Sequence, residues 1–178
     1  HSNLRRQRQM CIRDRVSTFG KGIELIDAVM PQILISLSAE ALGIMATLNT
    51  LTLEYSKTRQ QFGAPIGSFQ VIQHRMVDTF MACEQSKSML YRGLCVANNV
   101  EQGEADQFDL VKTAHALKAT IARYGKLIGE EAIQLHGGIG MTDELNIGHF
   151  VKRLMMINVA FGDGDFHQRK FNSLSYSG

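Results

Sequence analysis

A chain of 178 residues with 44% hydrophobic and 20% charged residues is long enough for one domain with a sizeable core. The formal net charge of +2 is concentrated at the start, because residues 1–15 hold five Arg and one Asp. These fifteen residues have a net charge of +4, so the remaining residues have a net charge of −2. This excludes a basic domain of the kind that binds nucleic acid.

Residues 1–15 are expected to be an extraneous or disordered basic head, with the folded domain covering residues 16–178. The alternative is an Arg-rich transit peptide, although the head carries Asp14 and does not begin with Met. No uninterrupted run of 18 apolar residues occurs, which predicts no membrane span. The three cysteines are not closely spaced, which indicates buried free thiols, a reduced cytoplasmic setting and no bound metal.

Two prolines and long apolar periodicity favour helices. The first helix is predicted from Pro31, at its first turn, to a stop at Gly63 and Pro65. Its apolar positions recur at steps of three and four: Ile33, Leu37, Ala41, Ile44, Leu48, Leu51 and Tyr55.

The second helix is predicted to begin at Ser68 as N-cap, and the third at Asp106. The third helix carries Leu110, Ala114, Leu117, Ile121, Tyr124 and Ile128 on one face. It is expected to end at Gly137 and Gly138. A fourth helix opens at Thr142 or Asp143, and a short fifth helix follows Asp165. The predicted fold is all-α, an up-and-down four-helix bundle with a short fifth helix at the C-terminus and no strand.

The first helix–helix turn reads YSKTRQQFGAPIGSFQ. Arg59, amide side chains at Gln61 and Gln70, the Phe62 ring and a helix N-terminus suit a ligand with a pyrophosphate and an adenine. An isolated Arg at a helix end is also explained by the helix dipole.

The third turn reads AIQLHGGIGMTDE. Gln134 supplies an amide, and Gly137 and Gly138 let the backbone approach a ligand closely. A helix C-cap alone would need only one of the two glycines.

These motifs, with Arg153 further on, resemble the C-terminal domain of the acyl-CoA dehydrogenases in order and spacing. The resemblance implies an FAD-dependent oxidoreductase that carries out α,β-dehydrogenation of an acyl-CoA thioester, with N-terminal and middle domains beyond this chain. It assigns the cofactor-binding role to Arg59, Gln61, Phe62, Gln70, Gln134, Gly137 and Gly138. It further implies a homo- or hetero-oligomer through the bundle and an electron-accepting flavoprotein as partner. The chain alone is expected to be inactive.

The proton-accepting Glu of the family pattern falls nine residues after the Arg, where this chain has Gly162. The other position used in the family, early in the first helix, holds Ile33 and no carboxylate. Asp163 is the candidate catalytic residue, one position displaced, and its alternative role is a turn or helix cap.

The loop that contains Gly162 resembles that of the small subunits of heteromeric acyl-CoA dehydrogenases of the pimeloyl-CoA type. This resemblance implies, as an alternative function, a partner subunit without the base. A flavin monooxygenase or oxidase of the same fold is the further alternative.

Overall fold

The computed structural model describes residues 20–142 and 144–176, so the predicted basic head lies outside the described residues. Five α-helices account for most of them, and the predicted all-α bundle is confirmed. The helices are α1 Gly22–Thr58, α2 Gln70–Glu101, α3 Gln107–His136, α4 Ile147–Val159 and α5 Gly164–Tyr176. Short 3₁₀ helices occupy Ile66–Ser68 and Gly137–Met141.

The chain divides after Met30 into two units. In the first, described from Gly20 on, Lys21 Nζ lies 3.5 Å from Glu24 Oε2 within the first turns of α1. The second unit, Pro31–Gly178, contains the bundle and both sites described below.

Helix α3 forms the centre of the bundle and packs against α2, α4 and α5. Its predicted apolar stripe is buried apart from Tyr124, which is half-buried. Asp106 is its N-cap, as predicted, and accepts a hydrogen bond from the Phe108 N–H at 3.4 Å. Polar contacts join the helices at the edges of this core. Arg75 of α2 and Glu131 of α3 form an ion pair at 2.6 Å.

Helix α1 departs from its predicted start. It begins at Gly22, nine residues before Pro31, and Pro31 lies inside the helix. No turn-forming sequence separates Gly22 from Pro31, so the helical hydrogen bonds continue and only the N–H that proline lacks is lost.

The buried face of α1 also differs from the predicted stripe, because it includes small polar side chains. Ser38 and Ser56 are buried, and each hydroxyl donates to a backbone carbonyl of its own helix, on Leu34 and Leu53. Leu51, which was predicted to be buried, is 40% exposed. Apolar periodicity missed this face because a Ser that bonds its own helix can be buried without loss.

Helix α1 is long and apolar enough to cross a membrane by length and composition alone, with a mean hydropathy of 1.5 in its best window. Counting only uninterrupted apolar runs overlooked this property. Nine of its residues are buried within the protein, from Pro31 to Ser56.

Two helix starts and the burial of one cysteine thiol were predicted wrongly. Ser68 lies in a 3₁₀ turn and its hydroxyl bonds back to the Pro65 carbonyl, so Phe69 is the N-cap of α2. Thr142 closes the next 3₁₀ helix, Asp143 lies outside the described residues, and α4 begins at Ile147.

Of the two cysteines in the described part of the chain, Cys83 is buried and Cys95 is exposed. Burial raises the pKa of the Cys83 thiol.

A small antiparallel hairpin was also not predicted. Strands β1 Gln60–Gln61 and β2 Ala64–Pro65 form two pairs, Gln60 with Pro65 and Gln61 with Ala64. Strands of two residues have no periodicity that a sequence pattern could reveal.

Candidate functional site

The two glycine-containing turns that the sequence singled out meet in one groove at the ends of α1 and α3. The groove has a volume of about 420 Å³. It is lined by Tyr55, Arg59, Gln61, Ile66, Gln134, Leu135, His136, Gly137, Gly138 and Ile139. Five of the seven residues predicted to bind the cofactor are therefore brought together, although up to 79 positions separate them.

The hairpin positions one side of the groove. Phe62 and Gly63, its two central residues, have φ of 56° and 81°, the signs of a type I′ turn. Positive φ is a genuine outlier for a bulky residue such as Phe62. The turn leaves the Phe62 ring 94% exposed, with an edge-to-face contact to Phe69 at 6.3 Å between centroids. The structure thus holds an aromatic ring in solvent beside the groove.

His136 and Tyr55 form the floor of the groove, and the sequence analysis did not identify either of them as site residues. Their rings stack with centroids 4.4 Å apart, and His136 is buried. Nδ1 of His136 lies 2.8 Å from the Ala132 carbonyl, which can only accept, so Nδ1 carries the proton. The signal available in the sequence was that His136 directly precedes the paired glycines.

Gly137 and Gly138 keep the other side of the groove open. Gly137 ends α3 with φ of 65°, and a Cβ added to either glycine would meet no atom within 4 Å. The space in front of these two residues is therefore available to a ligand. Gly140 is different, because a Cβ there would lie 3.0 Å from Cβ of His136, so this glycine serves close packing behind the groove.

Phe62 and Gln70, the other two predicted cofactor residues, do not line the groove. Gln70 is the first residue of α2 and is exposed. The side chains of Arg59, Gln61 and Gln134 make no hydrogen bond or ion pair that the described residues record, so their donors are available.

The candidate catalytic residue lies in a separate place, the loop of residues 160–163 between α4 and α5, here named the α4–α5 loop. Asp163 is exposed, and its Oδ1 accepts a hydrogen bond from the Phe166 N–H at 2.8 Å. The carboxylate thus caps α5, which is the alternative role that its sequence context indicated.

Gly162 is sterically required in this loop. Its φ is 111°, and a Cβ at this position would lie 2.5 Å from Cδ1 of Phe166. Phe161 beside it also has a positive φ, 58°. A Glu at position 162, as in the family pattern, would need both a different backbone conformation and a displaced Phe166 ring.

Lys118 of α3 contacts this loop, and the sequence analysis did not identify it as a site residue. The side chain is fully buried on α3, and its Nζ donates to the carbonyls of Asn158 at 3.0 Å and Gly162 at 3.1 Å. Burial lowers the pKa of Lys118 to about 8, while the nearby Asp163 carboxylate acts in the opposite direction. Most lysines on helices extend into solvent, so the sequence alone does not reveal that this one is buried and bonded to the loop.

A histidine pair lies next to Lys118. Nδ1 of His115 and Nδ1 of His167 are 2.7 Å apart, so one must donate and the other accept, and the two rings share one proton between these atoms. His167 is buried, and its pKa is lowered to about 4 by burial and by the neighbouring His115 and Lys118. Burial likewise lowers the pKa of His115. Both rings are therefore neutral near pH 7.

Arg153, the residue from which the loop position was counted, contacts neither region. It forms two hydrogen bonds with the Glu40 carboxylate of α1, at 2.6 and 2.8 Å, and joins α4 to α1. The hydrogen bond from Arg153 lowers the pKa of Glu40.

The groove and the α4–α5 loop are far apart. Both contact α3, the groove at His136 and the loop at Lys118, and eighteen residues of helix separate them by about 27 Å at about 1.5 Å per residue. Within this bundle they are two distinct regions.

The described residues therefore form a helical bundle with an open, donor-lined groove at one end and a separate loop held by a buried lysine. The family model described as "Acyl-CoA dehydrogenase, C-terminal domain" matches residues 20–171. The chain belongs to the acyl-CoA dehydrogenase family, and its bundle is that C-terminal domain.

Curated relatives agree with this assignment. L-prolyl-[peptidyl-carrier protein] dehydrogenase of Serratia sp. is 35% identical over 132 residues, 74% of this chain and 32% of that protein. Acyl-CoA dehydrogenase IpdE2 of Mycolicibacterium smegmatis is 33% identical over 117 residues, 66% of this chain and 34% of that protein. The chain thus spans about a third of the length of these relatives.

Solved structures show the same fold. A structure described as PigA with FAD and proline superimposes with a TM-score of 0.81 at 31% identity, covering 93% of this chain and 42% of that one. Butyryl-CoA dehydrogenase from Megasphaera elsdenii superimposes with a TM-score of 0.79 at 24% identity, covering 88% and 39%.

Proposed function

We propose that the protein containing this chain is an FAD-dependent oxidoreductase that dehydrogenates an acyl-CoA thioester between its α and β carbons. The observation that carries this proposal is the groove, in which Arg59, Gln61 and Gln134 surround the open space in front of Gly137 and Gly138. Membership in the family and the likeness to PigA with FAD and proline support FAD as the cofactor.

The donor set of the groove fits the adenine and pyrophosphate end of FAD. Arg59 would pair its guanidinium with a phosphate, and the amides of Gln61 and Gln134 would bond to phosphate or adenine atoms. Gly137 and Gly138 would let the ligand approach the backbone, and the exposed Phe62 ring would stack on an aromatic ring. FAD, when bound, supplies the acceptor for the hydride that leaves the β carbon of the thioester.

Proton removal from the α carbon needs a carboxylate, and the α4–α5 loop offers Asp163 where Gly162 replaces the Glu. Asp163 uses one carboxylate oxygen to cap α5, and its other oxygen is available to accept a proton. In the alternative function, Asp163 remains only a cap and the chain is the partner subunit of a heteromeric dehydrogenase, whose other chain supplies the base. A monooxygenase or oxidase of the same fold would need no base here.

A second substrate class is a thioester on a carrier protein instead of on coenzyme A. The observation that favours it is the 35% identity to L-prolyl-[peptidyl-carrier protein] dehydrogenase of Serratia sp.. Assaying the complete protein with a matched acyl-CoA and with the same acyl group on a carrier protein separates the two classes. The electron-accepting flavoprotein and the oligomeric assembly are proposed with the dehydrogenase function.

Flavin binding is tested by replacing Arg59 with Ala in the complete protein. Loss of a charge-assisted bond to phosphate, about 1.5–3 kcal/mol, should weaken FAD binding about tenfold or more. Lys57→Ala is the matched control, because Lys57 is an exposed cation two positions away whose Nζ pairs with Glu54. Equal flavin content in both variants would contradict a phosphate contact at Arg59.

The base is tested by Asp163→Asn, which keeps the cap because Asn and Asp are similar N-cap residues. If Asp163 is the base, acyl-CoA-dependent flavin reduction falls by about 10²–10⁴-fold with flavin content unchanged. If reduction is equally slow in both proteins and a partner chain restores it, the partner-subunit alternative is favoured.

A further inference from the structure

We propose that Lys118 is a positioning residue, whose buried ammonium group holds the α4–α5 loop in the conformation that presents residues 162 and 163 to the reacting thioester. This inference rests on the proposed function, because only a reacting group at that loop turns its geometry into a catalytic property.

The two hydrogen bonds of Lys118 bridge both sides of the turn. Asn158 belongs to the last turn of α4, and Gly162 lies within the α4–α5 loop, so one ammonium group connects the end of the helix to the loop. Carbonyls at a helix C-terminus lack partners within the helix and carry the negative end of its dipole. A cation placed there satisfies the carbonyls and the dipole together.

Packing alone does not require a lysine at this position. The neighbouring buried positions of α3 are apolar, among them Ala114, Leu117 and Ile121, and a Met of similar length would occupy the same space. A fully buried ammonium group loses its hydration, which is unfavourable unless its donors are used. Here the donors hold one particular loop conformation.

That conformation is one that the loop residues do not favour by themselves. Phe161 has a φ of 58°, which is unfavourable for a bulky residue and persists where surrounding contacts determine it, whereas Gly162 beside it adopts a positive φ without strain. Four further hydrogen bonds are local. The Ala160 and Gly162 N–H groups donate to the carbonyls of Met156 and Val159, and the Phe166 and His167 N–H groups donate to the side chain and the carbonyl of Asp163. Lys118 supplies the anchor from a distant part of the chain.

The charged and titratable groups that face Lys118 come from two elements besides its own. Asp163 of the loop favours the protonated ammonium, and His167 of α5 interacts with it electrostatically, with His115 of α3 behind that ring. Because burial lowers the pKa of Lys118 to about 8, the group becomes a neutral amine at alkaline pH, and its two remaining N–H donors still match the two carbonyls.

The anchor is tested by hydrogen exchange of the 178-residue chain. In Lys118→Met, the hydrogen-bonded amides of Ala160, Gly162 and Phe166 should exchange about tenfold faster or more, because bonds to a charged group are lost, while α2 is unchanged. Lys126→Met is the matched control on the same helix, since Lys126 is exposed and its Nζ lies 3.8 Å from Glu130. Unchanged loop exchange in Lys118→Met, or equal acceleration in all helices, would overturn the anchor.

If Lys118→Met does not fold, the wild-type chain provides the same comparison. Loop protection, corrected for the intrinsic pH dependence of exchange, should rise between about pH 7 and about pH 9.5, because opening the loop solvates Lys118 and returns its pKa toward 10.5, whereas protection of α2 should not change. Equal protection of the loop at both pH values would overturn the anchor.

The positioning role is tested in the complete flavin-loaded protein by kinetics. Lys118→Met should lower kcat about tenfold or more while KM and flavin content remain unchanged, since only transition-state geometry is affected. A looser loop with unchanged kcat would overturn the positioning role. A wild-type protein without thioester-dependent turnover would instead refute the proposed function, and the exchange experiment would still decide the anchor.

Discussion

Two Phe-Gly turns in this protein have similar backbones and different surroundings. Phe62-Gly63 and Phe161-Gly162 each combine two consecutive positive φ values, and each exposes its phenyl ring, by 94% and 55%. A Cβ on Gly63 would meet nothing within 4 Å, whereas a Cβ on Gly162 would lie 2.5 Å from the Phe166 ring.

The difference shows how one dipeptide can serve two purposes. The Phe62-Gly63 turn is held by pairing within its own hairpin, so the side chains around it remain available to a ligand. The Phe161-Gly162 turn is held by Lys118, 44 positions before Gly162, and by the cap of α5. The first region has open space and available donors, and the second is held by contacts from another helix, as the proposed positioning role requires.

The largest expected effect is a loss of stability when Ala replaces the glycine of each turn, which adds a single methyl group. Gly162→Ala combines a positive φ with a steric overlap and should lower the free energy of unfolding by about 2–4 kcal/mol. Gly63→Ala has only the φ penalty and should lower it by about 1–2 kcal/mol. Urea denaturation measures both, and equal losses would show that the two turns are equally free.

The next effect is a pH dependence at Lys118. Its pKa falls from 10.5 to about 8 on folding, so between these values the unfolded chain holds the proton that the folded chain has released. Stability should therefore rise with pH in that window, on the order of 3 kcal/mol, and the rise should be absent from Lys118→Met. Parallel curves for the two proteins would mean that Lys118 is not buried in solution.

An effect of similar size, at acid instead of alkaline pH, is expected at His167. Its pKa falls from 6.5 to about 4 on folding, so between these values the unfolded chain binds a proton that the folded chain does not. Stability should fall as the pH drops through this window, on the order of 3 kcal/mol. His167→Asn should reduce the acid sensitivity, whereas replacing the exposed His74 should leave it unchanged.

The smallest effect concerns the cap of α5. Asp163→Ala should lower the free energy of unfolding by about 1 kcal/mol, and Asp163→Asn by no more than a few tenths. Thermal denaturation at pH 7 compares them. An equal loss in both variants would indicate that the charge, not the hydrogen bond to Phe166, stabilises this loop.

Sequence alone determined the features that depend on neighbours in the chain. The spacing of Leu110, Ala114 and Leu117 predicted α3 and its buried face, because a helix repeats every 3.6 residues. The cap at Asp106 and the end at Gly137 follow from the same local chemistry. Five residues of the groove were also predicted, because Arg, Gln and paired Gly at helix ends indicate ligand chemistry before their contacts are known.

The tertiary structure decided whatever depends on residues far apart in sequence. Pro31 continues α1, and Ser38 is buried, although local preferences favour a helix start and an exposed hydroxyl. Nothing in the sequence around Lys118 or His167 distinguishes either residue from the many lysines and histidines that are solvated. Their roles arise because α3, the end of α4 and the start of α5 pack together, where burial changes the pKa of each group and directs its donors to carbonyls or rings of other elements.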